Sequence, residues 1–384
     1  MISDKKILHV FDPAIISQST IELFNKLDFS QRYVVITSHP EKWEEISSRI
    51  SNICLIDPNK EDIVEVLGRE ISNADIIIAQ ALSYEKAKAI AKNKDKSKVF
   101  IWGLWGYGLY NISEYFGKKK DSTDYSTVLK RKESLFGKIK EYYTFKVIYK
   151  QAVQKLDICL FLLESDYKLL GEAIPHRAVW RTTCYQTINN LIGPDDFKID
   201  GTSILLGNSS TPSNRHEAVF EELKKSNSEK KIIVPLTYGD DKYRAQIIKS
   251  GSNYFGNRLT PLTEFKALND YNDLVKSCSH VIMAHERQQG FGTIMTVLYG
   301  GAKLFLSEKS PLYGWLQNIG IKVFSVESHL SFGLEQKLPP ELQRLNRNLV
   351  KQYLSEDLIT KQITDILVEA CQISKMKLSE KAKS

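Results

Sequence analysis

The chain has 384 residues, 42% of them hydrophobic and 26% charged, and carries a net charge of +7. That length predicts two domains, each able to bury its own core, and the composition is that of a globular protein rather than a disordered or fibrous one. No run approaches the about 18 apolar residues of a membrane span, and the first residues pass straight into a strand rather than a secretion signal, so the expected location is cytoplasmic.

In chain order, strand and helix alternate. Strands are expected at 6–11, 33–37, 53–56, 75–79 and 99–102, with helices at 16–27, 41–49, 60–71 and 82–91. Their β-branched runs lack clean alternation, as in strands covered on both faces. An aromatic and glycine tract, Trp102-Gly-Leu-Trp-Gly-Tyr-Gly-Leu-Tyr110, then breaks the rhythm where a strand should end.

Between 117 and 155 there are eleven Lys/Arg and four Asp/Glu, an excess equal to the whole net charge. Leu135, Ile139, Tyr143 and Val147 recur every four residues there, flanked by Lys130, Arg131, Lys132, Lys138 and Lys140. A basic amphipathic helix with aromatics suits an anionic membrane surface; the plainer reading is a solvated helix covering a core. No nucleic-acid-binding motif accompanies the charge, so nucleic acid is not an expected partner. The five cysteines, odd in number and without Cys-x-x-Cys spacing, read as reduced and mostly buried.

Further strands are expected at 157–163 and 178–184, and a linker at 186–201, where the pattern lapses into Asn-Asn, Gly-Pro-Asp-Asp and Asp-Gly. A second α/β half follows, with strands at 204–206, 232–236, 281–284, 304–306 and 323–325. Helices near 214–225, 242–249, 264–277, 293–299 and 311–318 alternate with them, and 257–263 is expected to be a base-contacting loop. Two helices span 339–373, and 374–384 reads as a frayed basic tail.

The stretch from Val281 to Leu306 is a βαβ unit whose turn holds Arg287, Gln288, Gln289, Gly290 and Gly292 before a helix opening at Thr293. Backbone N–H groups, the helix dipole and a guanidinium favour a phosphate there, best a diphosphate. A Gly-x-Gly turn can also serve only as a tight connection, but Arg-Gln-Gln is a poor choice for a turn that merely packs. The first βα turn lacks Gly-x-Gly-x-x-Gly and no P-loop occurs, which demotes hydride transfer and ATP hydrolysis. Two more polar turns, Gly207-Asn-Ser-Ser-Thr-Pro-Ser-Asn-Arg-His216 and Leu236-Thr-Tyr-Gly-Asp-Asp241, fall at strand ends. Two doubly wound halves facing a cleft, with these turns converging, suit a sugar nucleotide.

Candidate donor contacts are therefore Gly207, Asn208, Ser209, His216, Tyr238, Arg287, Gln288, Gln289, Gly290, Gly292 and Thr293. His216 and Asn208 could instead cap a helix start. Candidate general bases in the first half are Asp12, His9 and Glu114, with helix capping the plain reading of Asp12 and core packing that of His9. Trp102, Trp105 and Tyr107 offer flat rings to an acceptor sugar, with core packing their plainer reading.

Gly207-Asn-Ser, Ser213-Asn-x-His216, Val234-Pro-x-x-Tyr238, Arg287-Gln-Gln-Gly-x-Gly-Thr293 and Ile101-Trp-Gly with Trp105-Gly-x-x-Leu-Tyr110 together resemble the TDP-N-acetylfucosamine:lipid II N-acetylfucosaminyltransferases, glycosyltransferase family 56. The resemblance implies a GT-B fold, two doubly wound Rossmann-like domains, here 1–190 for the acceptor and membrane and 191–355 for the nucleotide sugar. The remaining 356–384 is expected to pack back on the first domain. It further implies a TDP- or UDP-linked donor and a polyprenyl-diphosphate-linked glycan acceptor at the cytoplasmic face of a bacterial inner membrane, in surface polysaccharide synthesis. It implies no metal or cofactor, and the sequence has no Asp-x-Asp triplet. The chain departs from the wider pattern at Gln289 and Val297, where many GT-B enzymes carry Glu for donor sugar and ribose, and at Gly108, where the family element has Asp. The alternatives are a nucleotide-sugar epimerase or hydrolase of the same fold and a non-catalytic, membrane-docked sugar-nucleotide-binding subunit.

Overall fold

A computed structural model describes residues 4–14, 16–117, 135–193 and 197–383. The described residues divide into two compact units. One holds those up to Gln186 together with those from Asp357 onward; the other is Thr187–Glu356.

The first unit contains β1 (Lys6–Phe11), β2 (Ser30–Ile36), β3 (Ile53–Ile56), β4 (Ile76–Gln80), β5 (Val99–Gly103), β6 (Ile158–Leu160) and β7 (Val179–Arg181). They form one parallel sheet in the order β3-β2-β1-β4-β5-β6-β7. Every residue of β4 and β5 is buried, which is why Ile76-Ile-Ile and Val99-Phe-Ile-Trp read as unbroken apolar runs. The direction of winding reverses between β1 and β4. In open parallel sheets the carboxyl ends on either side of that reversal are where ligands bind.

The second unit repeats the plan with β8 (Ser203–Leu206), β9 (Ile232–Pro235), β10 (Leu259–Leu262), β11 (Cys278–Met283), β12 (Lys303–Leu306) and β13 (Phe324–Ser325). The order β10-β9-β8-β11-β12-β13 is again parallel throughout, and here the reversal lies between β8 and β11. Two parallel-sheet α/β units of this kind constitute the GT-B plan.

Three expectations are corrected. Residues 257–263 are not a loop, because β10 forms there; Pro261 is tolerated since β10 is an edge strand with a neighbour on one side only. The described residues of the expected linker 186–201 are packed rather than bare connection: Thr187 caps a short helix, Ile188–Ile192, whose apolar residues are buried, and Gly201 packs so closely on the Ser277 backbone that a Cβ would stand 2.0 Å from Ser277 O. Nor is 374–384 frayed through to its end, since one helix runs Glu356–Lys383. Its basic residues find carboxylates in the first unit: Lys377 lies 2.7 Å from Asp157 and Lys381 2.9 Å from Asp95, while Glu369 pairs with Arg181. Helices Tyr107–Tyr115 and Glu164–Ala173 were not legible in the sequence pattern.

The basic segment is helical from Leu135 to Gln154, but Tyr143–Tyr149 is a π-helical stretch between the α-helical runs Leu135–Tyr142 and Lys150–Gln154. That wider turn shifts the phase of the faces. The packed face is Phe145, Ile148, Tyr149, Ala152 and Val153, whereas Ile139 (59% exposed), Tyr142 and Tyr143 lie open. Lys130, Arg131 and Lys132 fall outside the described residues. Among the described residues no helix is long and apolar enough to cross a membrane.

Candidate functional site

At the reversal point of the second unit, β8 ends in Leu206 and the chain turns at Gly207 with φ +70°. A Cβ there would stand 2.7 Å from His216 Nε2 and 3.0 Å from Asn214 Oδ1, so glycine is required by both conformation and space. The loop that follows is bound to itself. Asn214 Nδ2 donates to Ser209 O and Oγ, and Asn214 Oδ1 accepts from the Asn208 amide. Ser210 exchanges backbone hydrogen bonds with Tyr238 and Asp240, joining this loop to the turn after β9.

From that base a chain of side-chain hydrogen bonds crosses to the turn after β11. Arg287 Nε donates to Gln289 Oε1 at 2.8 Å, which also accepts from Ser213 Oγ at 2.7 Å. Gln289 Nε2 donates to Asn208 Oδ1 at 2.8 Å, and Asn208 Nδ2 to the Tyr238 hydroxyl at 3.1 Å. The structure thus brings Asn208, Tyr238, Arg287 and Gln289 together, with Ser213 as an unforeseen member. Oε1 of Gln289 serves two donors while its amide nitrogen serves an acceptor. A glutamate there could not donate to Asn208 Oδ1.

Gly290, in the left-handed region at φ +66°, opens the helix Phe291–Gly300, and no side chain caps that helix start. Its first-turn N–H groups include those of Gly292 and Thr293, and such groups favour an anion. Thr293 and Gln288 are each half-buried in the same turn. Val297 is fully buried within this helix, so it offers nothing to a ribose.

Two histidines shape these turns from behind. His285 is fully buried, its Nδ1 3.0 Å from Arg287 O, and burial pulls its pKa down to about 4. His216 begins the helix His216–Lys225 with no surface exposed, its Nδ1 3.1 Å from the Tyr243 hydroxyl, and burial lowers its pKa to about 3. It buttresses Gly207 as a neutral imidazole. Ser209 is likewise buried.

A further group joins three turns of this sheet. Glu286, beside Arg287 after β11, pairs with Arg215 from the loop after β8 and lies 3.4 Å from Lys309 after β12. No spacing in the sequence pairs residues so far apart.

In the first unit, Asp12 follows β1 at the reversal point. Its Oδ2 accepts from Lys86 Nζ at 2.9 Å, and that lysine also donates to Gln80 O at 2.6 Å and Ala81 O at 3.3 Å, at the end of β4. The Lys86 side chain is 1% exposed and that of Asp12 37%. Burial lowers the Lys86 pKa and Asp12 opposes it. Ala81 adopts φ +56°, unusual for a residue with a Cβ. A buried lysine thereby fixes an accessible carboxylate where ligands of such sheets bind.

His9, by contrast, is unsuited to proton transfer at the surface. It is fully buried among Phe11, Phe24 and Tyr33, hydrogen-bonded to Gln31, and burial lowers its pKa to about 3. Trp102 is also a core residue, edge-on to Phe161 at 5.1 Å. Trp105 is half-buried against Phe11, Tyr107 begins the helix Tyr107–Tyr115, and Glu114 is exposed on it.

The fold has solved relatives. A glycosyltransferase from Rickettsia africae ESF-5 is 13% identical with a TM-score of 0.60, over 95% of this chain and 98% of that one. Anabaena Alr3699/HepE, crystallised with UDP and glucose, is 12% identical with a TM-score of 0.58 over 99% and 100%. A UDP-GlcNAc 2-epimerase from Neisseria meningitidis, bound to UDP-GlcNAc, is 13% identical with a TM-score of 0.51 over 95% and 100%. At these identities the likeness is one of fold. The sequence itself matches the profile of the 4-alpha-L-fucosyltransferases over residues 138–364, more than half the chain and spanning all three turns of the polar network. The protein therefore belongs to glycosyl transferase group 56.

Proposed function

We propose that this glycosyltransferase moves a deoxyamino sugar, N-acetylfucosamine or a close relative, from a nucleoside diphosphate to a polyprenyl-diphosphate-linked glycan in bacterial surface polysaccharide synthesis. The observation that carries the reading is the Arg287–Gln289–Asn208–Tyr238 network beside an uncapped helix start at the reversal point of the second sheet. Arg287 and the amides of Gly290 to Thr293 stabilise the departing diphosphate without a metal, and Gln289 meets sugar hydroxyls. The complexes of the Anabaena protein with UDP and glucose support a sugar nucleotide as the donor class.

In the first unit Asp12 is the general base. The acceptor hydroxyl gives its proton to the carboxylate as its oxygen bonds to the anomeric carbon, and the bond from that carbon to the diphosphate breaks with the electron pair leaving on phosphate. Lys86 holds the carboxylate in place. Trp105 and Tyr107 are acceptor-facing candidates. The helix from Leu135 to Gln154, with Ile139, Tyr142 and Tyr143 exposed beside Lys138, Lys140 and Lys146 in sequence, docks on anionic lipid at the inner membrane, aided by Lys130, Arg131 and Lys132.

The test is a binding screen of TDP-, UDP- and GDP-sugars followed by a transfer assay with a lipid-linked acceptor. Donor turnover that needs no acceptor would favour epimerase or hydrolase chemistry, which the fold likeness to the Neisseria epimerase keeps in play. Binding without any turnover would favour a non-catalytic subunit. Neutralising Lys130, Arg131, Lys132, Lys138 and Lys140 should release the protein from anionic vesicles with donor affinity unchanged; unaltered sedimentation would remove the membrane part of the proposal.

A further inference from the structure

Glu286 is 10% exposed, and it stands in a turn otherwise suited to an anion. It follows β11 directly, precedes Arg287, and shares its turn with Gly290 and the helix start beyond. A carboxylate there is retained because two cations reach it from the neighbouring strands: Arg215 from the turn after β8 and Lys309 from the turn after β12. Arg215 does so from the left-handed region, φ +52°, between a 3₁₀ turn (Pro212–Asn214) and the helix His216–Lys225. Residues with a Cβ are strained in that conformation, and strain of this kind gathers where a ligand is clamped. Lys309 is mostly exposed and so can change partners without disturbing the core. Two cations around one carboxylate, next to a third cation at Arg287, leave a surplus of positive charge matched to a diphosphate.

We propose that Arg215 and Lys309 contact the donor diphosphate, and that Glu286 is their internal counter-ion, exchanged for the diphosphate when nucleotide binds. The inference rests on the donor reading above and adds residues to it. Glu286 keeps Arg215 and Lys309 ordered in the free enzyme; a dianion, carrying more charge and fitting the guanidinium fork as well as a carboxylate does, displaces it.

The experiment is titration calorimetry of the full-length protein with UDP and, separately, inorganic pyrophosphate, for wild type and Glu286→Gln, Arg215→Met and Lys309→Met. Glu286→Gln should bind pyrophosphate several-fold more tightly, because the competing charge is gone. Arg215→Met and Lys309→Met should each bind about tenfold more weakly, as expected for loss of a hydrogen bond to a charged group. Weaker binding by Glu286→Gln would overturn the counter-ion role, and unchanged affinity in both cation variants would overturn the clamp. Lys309 is exposed, so its variant tests the clamp even where Glu286→Gln fails to fold. Wild type that binds neither ligand would sink the donor reading itself, a result distinct from either of these.

Discussion

The two sheets have the same strand order about their reversal points, β3-β2-β1-β4 in one and β10-β9-β8-β11 in the other, yet the turns at those points are furnished differently. In the first unit the turns after β1 and β4 carry Asp12 and the carbonyls of Gln80 and Ala81, gathered around one buried lysine. In the second unit the equivalent turns carry amides, hydroxyls and arginines, and helix N–H groups stand beside them. A common backbone therefore sets where a ligand goes, while the turn side chains set its charge. Under the proposed function, the first presents a proton acceptor and the second an anion receptor.

The division can be tested by breaking each side. Asp12→Asn should lower kcat by roughly 10²–10⁴, the span of general base catalysis, with donor affinity unchanged by calorimetry. If donor binding fell in step with kcat, the carboxylate would not belong to the acceptor side. Arg287→Met should lower kcat/KM by roughly 10²–10³, as for loss of one preorganised charge-stabilising group. Its donor affinity should fall too, because Gln289 loses a partner that orients it. Full activity in this variant would remove the diphosphate from the turn after β11.

Acid should also separate the units. His9 in the first, and His216, His285 and His280 in the second, are held neutral by burial with pKa values of about 3, 3, 4 and 4. The unfolded chain takes up protons on these histidines below about pH 6.5, whereas the folded chain does not until pH 3–4. The stabilisation is thus complete above 6.5 and lost as pH falls, by about 1.4 kcal/mol per pH unit for each histidine. Burial also lowers the pKa of His176 in the first unit, so three such groups stand against two, and the second unit should loosen first. Hydrogen exchange at pH 7 and pH 5 reads this directly, and earlier loss of protection in β1 and β4 would contradict it.

Most of this architecture was legible because parallel strands covered on both faces leave unbroken apolar runs such as Ile76-Ile-Ile, and because Gly207 and Gly290 mark turns that only glycine makes easily. The Arg-Gln-Gln turn was legible too, since those side chains do not merely pack. What escaped depends on contacts remote in sequence. Lys86 looks like any helix lysine until β1 brings Asp12 to it, and Glu286 looks like a surface acid until Arg215 and Lys309 arrive from other turns. His9 and Trp102 were open to a functional or a core reading in the sequence, and only the fold shows that both side chains are buried. The π-helical stretch Tyr143–Tyr149 defeated a phase argument that assumes 3.6 residues per turn.

The smallest expected effect concerns Gly108, where the family resemblance implies an acid. A Cβ at Gly108 would meet Leu82 O at 3.5 Å and Trp102 at 3.8 Å, both ordinary contacts, so space does not exclude a side chain. The residue lies in the first turn of the helix Tyr107–Tyr115, where a carboxylate interacts favourably with the helix dipole and a residue with a Cβ loses less backbone entropy on folding than glycine does. Gly108→Asp should therefore raise stability by about 0.3–1 kcal/mol in urea unfolding. If the acceptor side of the first unit lacks only this acid, transfer to an alternative lipid-linked acceptor should appear with donor affinity unmoved. Loss of stability would mean that the turn after Trp105 needs its glycine for reasons of backbone rather than chemistry, and the difference from the family pattern would then be structural.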